Sequence, residues 1–68
     1  MGYLLKEEKA EEIRNKYKNS YFIEKLDLSG TYISLIIHRK KPIAKHVAYA
    51  FTKSIDTNAE IGDYFELR

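Results

Sequence analysis

Tyr21-Phe22-Ile23-Glu24-Lys25-Leu26-Asp27-Leu28-Ser29-Gly30-Thr31-Tyr32-Ile33-Ser34-Leu35-Ile36-Ile37-His38-Arg39 is the stretch on which the fold turns. Two apolar, β-branched segments flank Ser29-Gly30, and Gly is the residue a two-residue hairpin loop asks for. That reading pairs Leu28 with Thr31, Leu26 with Ile33, Glu24 with Leu35 and Phe22 with Ile37. One face then carries Phe22, Leu26, Leu28, Ile33, Leu35 and Ile37. The other carries Tyr21, Ile23, Lys25, Tyr32, Ser34, Ile36 and His38. A slip of one residue would exchange the two sets, so turn and pattern support one another.

The reading extends outward on both sides. After Lys40-Lys41-Pro42, residues 43–53 read two ways. As a strand, Ile43, Val47, Tyr49 and Phe51 join the apolar face of the hairpin. As a helix, Pro42 sits in the first turn, Ile43, Val47, Ala50 and Phe51 form a stripe, and three alanines favour the helix. The strand is preferred because its register continues the hairpin. Before the hairpin, residues 4–18 read as a helix. Glu7, Glu8, Glu11 and Glu12 lie early and Arg14, Lys16 and Lys18 late, in keeping with the helix dipole. Tyr3, Ala10, Ile13 and Tyr17 make its apolar stripe. Thr57-Asn58-Ala59-Glu60 has the pattern of a capping box opening a short acidic helix. If residues 43–53 are helical, Tyr64–Leu67 reads instead as a final strand.

The expected fold is therefore α+β: an N-terminal helix, a three-stranded antiparallel meander and a short C-terminal helix or strand, with α-β-β-α-β as the alternative. Its expected core is Ile13, Tyr17, Phe22, Leu26, Ile33, Leu35, Ile37, Val47, Phe51 and Phe65. The order resembles that of the double-stranded RNA-binding domain and of the HicA-type ribonuclease toxins, in element order alone. The Lys-Lys pair that opens the last helix of the first family and the Gly-Ser-His of the second are missing, so no residue role carries over.

Charge is distributed unevenly. From Leu28 to Ile55 there is no Asp or Glu, against Arg39, Lys40, Lys41, Lys45 and Lys53. Residues 1–27 are neutral and residues 54–68 carry −3, which with the +5 of the centre gives the net +2. A cationic centre of this kind suits a polyanion or an acidic protein surface.

The 68 residues form one domain, residues 1–68, with a small core and correspondingly modest stability. Without cysteine there is neither disulfide nor thiolate metal site, and two histidines eight residues apart do not make a structural zinc site. No metal and no small-molecule cofactor is expected. Leu35-Ile36-Ile37 is too short to span a bilayer and no signal-peptide core precedes Lys6; a cytoplasmic protein with no membrane partner is the expectation.

Three functions compete. The first expectation is a non-catalytic binding module that binds another protein, with homodimerisation through a sheet face or edge as one form. Small Lys-, Ile- and Tyr-rich chains of this kind resemble accessory, regulatory and inhibitor proteins of phages and mobile elements. The alternative is nucleic-acid binding: Tyr21, Tyr32, His38 and His46 share the non-core face of the proposed sheet, with Arg39, Lys40, Lys41 and Lys45 around it. Rings beside cations stack bases and hold phosphates. Catalysis is not expected. No carboxylate partner beyond Asp27 is implied for His38 and His46 on that face, Gly2, Gly30 and Gly62 are isolated, and no nucleophile elbow is present.

Overall fold

A computed structural model describes residues 2–68. In chain order the elements are β1 (Tyr3–Leu5), α1 (Glu7–Lys16), α2 (Asn19–Leu26), α3 (Gly30–Ile37), α4 (Lys45–Ile55), α5 (Ile61–Tyr64) and β2 (Phe65–Leu67). The meander expected from the sequence is overturned: helices dominate, and the sheet has two strands, β1 and β2, paired antiparallel with Tyr3 opposite Leu67, Leu4 opposite Glu66 and Leu5 opposite Phe65. The family resemblance by element order falls with the meander.

The correction is concentrated in residues 21–39, and its cause is local. Ser29 does not open a hairpin. Its hydroxyl accepts a hydrogen bond from the Tyr32 amide at 3.1 Å, the mark of a helix N-cap, and Gly30 is the first helical residue of α3. The chain reverses one step earlier, where Asp27 adopts φ 55 and closes α2 in the left-handed conformation, as Asp tolerates. No glycine among the described residues has positive φ, so the primed turn on which the hairpin rests is absent. The apolar pattern admits both readings. Ile33, Leu35 and Ile37 alternate, while Ile33, Ile36 and Ile37 have helical spacing, and it is the second set that is buried.

Residues 43–53 take the helical alternative. Ala44 is the N-cap of α4, and Ala48, Phe51 and Thr52 face inward. The Thr52 hydroxyl is fully buried and donates to the Ala48 carbonyl at 2.8 Å, which satisfies it within the helix. Ile43 stays extended and forms an isolated bridge with Tyr3. The helix expected over 4–18 begins at Glu7, because Tyr3–Leu5 is drawn into the sheet with β2. The expected capping box at 57–60 lies three residues further on: the Asp63 carboxylate accepts from the Glu60 amide at 2.9 Å and opens α5.

The core joins every layer. Phe22 of α2 stacks on Phe51 of α4 with centroids 4.5 Å apart and planes at 15°. Phe51 meets Phe65 of β2 edge-on at 5.8 Å. Leu5, Ala10, Ile13, Ile33, Ile36, Ile37, Ile43 and Ala48 complete it. Of the residues expected inside, Ile13, Phe22, Ile33, Ile37, Phe51 and Phe65 are buried, and Tyr17, Leu26, Leu35 and Val47 are half-buried. Gly2 is required by close approach: a Cβ there would lie 2.7 Å from Pro42 Cβ.

Candidate nucleic-acid interface

Two short helices and the turn that follows them carry the candidate site. α2 and α3 are eight residues each, joined by Asp27, Leu28 and Ser29. Phe22 on the first and Ile33, Ile36 and Ile37 on the second are buried in one core. Ile23 of α2 lies over Gly30 of α3, its Cδ1 at 3.4 Å from where a Cβ would stand, so the pair is closely packed. The C-terminus of α3 is tied down from α1: Arg14 donates to the Ile37 carbonyl at 2.7 Å.

With Ile33, Ile36 and Ile37 inward, the opposite face of α3 is Thr31, Ser34, Leu35 and His38, at positions i, i+3, i+4 and i+7. Thr31 and His38 are exposed, and Ser34 and Leu35 half-buried. This stripe sets the hydroxyls of Thr31 and Ser34 and the imidazole of His38 beside the apolar Leu35, and it leads into the cationic turn, Arg39-Lys40-Lys41.

The five cations of the acid-free stretch divide into two kinds. Arg39 and Lys53 are half-buried and bonded to the molecule itself. Arg39 has φ 55, and its Nε donates to the Leu5 carbonyl at 2.7 Å while its guanidinium lies 3.6 Å from Glu66. The Lys53 ammonium donates to the Ala59 carbonyl at 2.6 Å and to that of Thr57 at 3.2 Å. Lys40, Lys41 and Lys45 are exposed, and none forms an ion pair among the described residues. His46 stands beside Lys45 in the first turn of α4, exposed as well.

The eight residues singled out by sequence are thus partly gathered and partly dispersed. His38, Lys40, Lys41, Lys45 and His46 are all exposed and follow one another along the chain from the C-cap of α3 to the first turn of α4. Tyr21 is elsewhere. Its hydroxyl donates to the Ser54 carbonyl at 2.8 Å, and its ring packs on Tyr17 at 4.9 Å and on Phe22 at 5.1 Å, joining α2 to the end of α4. Tyr32 is half-buried on α3. With no sheet over residues 21–53, these residues do not share a sheet face. Thr31 and Ser34 were missed; a helical reading of Ser29 as an N-cap would have placed them on an outward stripe.

A second charged region lies at β1, β2 and the start of α1, where Lys6, Glu7, Glu8, Glu11, Arg39, Glu66 and Arg68 line an open polar cleft. The Arg68 guanidinium donates to Glu66 at 2.9 Å. That hydrogen bond, with the charges of Arg68, Arg39 and Lys6, holds the Glu66 carboxyl below the usual carboxylate range. Burial raises the Tyr64 phenol above its ordinary value, with Asp56 and Glu12 adding to the effect. No group of three or more His, Cys, Asp or Glu among the described residues is disposed to hold a metal. No described helix is long and apolar enough to cross a membrane. No family model, no curated protein and no solved structure matches this chain.

Proposed function

We propose that this protein binds duplex DNA through α2, the three-residue turn and α3, without catalysis. The observation that carries the reading is a helix-turn-helix whose second helix lies inside the acid-free stretch: two packed helices, a turn of the length that motif uses, and an uncharged polar stripe on the second helix, with Glu24 of α2 and Asp27 of the turn as the acids of the unit. In such a unit the second helix enters the major groove and its N-terminal residues meet base edges. Thr31 and Ser34 bring hydroxyls that both donate and accept, and the Thr31 methyl and Leu35 bring apolar contact for a thymine methyl. Lys40, Lys41 and Lys45 are exposed cations with no ion-pair partner among the described residues, suited to the flanking phosphates. Phosphate contacts fix register and side chains in the groove read sequence, so the surface has both parts.

Duplex DNA is favoured over single strands because Tyr21 and Tyr32 are packed against the fold rather than displayed for stacking. It is favoured over duplex RNA because the A-form major groove does not admit side chains. A protein partner finds specific support only at the open edge of β2, which fits a second copy of this chain.

The test is selection from a random duplex library followed by gel shift of the enriched sequences. The expected result is enrichment of a short motif, with Thr31→Ala and Ser34→Ala relaxing the preference at individual base pairs by about 1–3 kcal/mol each. Absence of any shifted duplex at ~50 mM salt, where phosphate contacts are strongest, overturns the reading.

A further inference from the structure

The small sheet stops one strand short. Gly2 and Arg68 exchange both backbone hydrogen bonds, at 2.9 and 2.8 Å. Tyr3, opposite Leu67, sends its own N–H and C=O the other way, to Ile43, at 2.8 Å each. In an antiparallel ladder these roles alternate, so the N–H and C=O of Leu67 point away from β1. They face the outer edge of β2, and neither has a hydrogen-bond partner among the described residues. The Leu67 side chain is 56% exposed although its strand neighbour on the same face, Phe65, is buried in the core. The inner edge of β1 is covered by Ile43; among the described residues no proline interrupts the outer edge of β2, and what blunts it is its three-residue length and the charges of Glu66 and Arg68.

We propose that a second copy of this chain pairs with this edge, antiparallel, about a two-fold axis through Leu67. Each Leu67 donates its N–H to the other's carbonyl, and the two exposed leucyl side chains meet on the face that already holds Phe65. The charges select both the occupant and the register. A two-fold axis at Leu67 sets Glu66 across from the second copy's Arg68, and Arg68 across from the second copy's Glu66, giving two opposite-charge cross-strand pairs. An axis one residue earlier would set Glu66 against Glu66. It would also call on Phe65, whose N–H is already given to the Ile61 carbonyl. The contact is isologous, as a two-fold interface must be, and it is small beside the ~1,600 Å² of a stable complex. Self-association is therefore weak and concentration-dependent. This inference does not rest on the DNA reading. Where both hold, a two-fold pair presents two copies of α3, which matches a palindromic site.

Because the chain has no cysteine, a single introduced thiol reports on its own surroundings alone. Directly opposed, hydrogen-bonded residues stand with Cα atoms about 5.5 Å apart, within disulfide reach. Leu67→Cys, oxidised with copper-phenanthroline in the absence of DNA, is expected to become predominantly a disulfide-linked dimer that reductant reverses. Tyr49→Cys, equally exposed on α4, is expected to stay predominantly monomeric. Adding Arg68→Glu to Leu67→Cys, which sets two carboxylates across from each other, is expected to abolish the dimer, with circular dichroism verifying that the fold persists. Equal crosslinking of Leu67→Cys and Tyr49→Cys, or a dimer indifferent to Arg68→Glu in the folded protein, overturns the proposal.

Discussion

Arg39 and Lys40 are adjacent in the chain and serve opposite ends of the same problem. Arg39 turns inward, in a left-handed conformation, and bonds the Leu5 carbonyl while approaching Glu66. Lys40 and Lys41 turn outward and meet no carboxylate among the described residues. The cluster around Glu66 is cationic charge consumed in joining β1, β2 and the end of α3. The cluster at 40, 41 and 45 is cationic charge left for a partner. A count of basic residues does not separate the two; the hydrogen-bond partners do.

That contrast can be broken from either side. Arg39→Ala removes a charged donor from a part-buried carbonyl while keeping the unfavourable φ, and a hydrogen bond to a charged group is worth about 1.5–3 kcal/mol. A loss of that size is expected in urea unfolding, on a domain of marginal stability. Gly2→Ala forces a methyl against the Pro42 ring just beyond the turn. Such overpacking costs about 1–3 kcal/mol, and thermal unfolding is expected to register it.

Lys40→Ala with Lys41→Ala is expected to leave stability within about 0.5 kcal/mol, as exposed substitutions do. Its duplex affinity is expected to fall roughly tenfold or more at low salt, with a salt slope shallower by about one per lysine. A pair of alanines that unfolds the protein would show these lysines to be structural and erase the distinction.

Glu66→Gln is the smallest of the four. Because the folded protein holds the Glu66 carboxyl below its ordinary value, ionised Glu66 contributes stability above its unfolded pKa, near 4.5. That contribution fades as pH falls through the lower folded value. The variant is expected to be slightly less stable at neutral pH and to show a flatter loss of stability on the acid side of pH 4.5.

Much of this was legible in the sequence, though not the difference that mattered most. The charge gradient from Glu7 to Lys16 locates α1, and Phe22, Ile33, Phe51 and Phe65 belong to the core under either reading of their segments. The choice between hairpin and helices over residues 21–39 comes down to whether Leu35 or Ile36 is buried, and in a run of apolar residues both periodicities are present. Ser29 carried the better signal, as an N-cap three residues before Tyr32, but Ser29-Gly30 invites the turn reading. The sheet was legible in part: the alternative that makes residues 43–53 helical also makes Tyr64–Leu67 a final strand, where β2 runs over Phe65–Leu67, but nothing marked Tyr3–Leu5 as its partner. Its strands are three residues each, at opposite ends of the sequence, and such pairing is set by tertiary context rather than propensity. The cationic turn was found by composition alone. That Arg39 and Lys53 bond inward, and that exposed Thr31 and half-buried Ser34 share the helix face opposite the core, follows only from the helices.

The most direct test is a titration of the isotopically labelled protein with an enriched DNA duplex, followed by amide chemical shifts. The shifts are expected to gather on Thr31, Ser34, His38, Lys40, Lys41 and Lys45, with α1 little changed. Shifts confined to α1, or to the cleft around Glu66 with Thr31, Ser34 and the lysine turn untouched, would contradict the DNA reading.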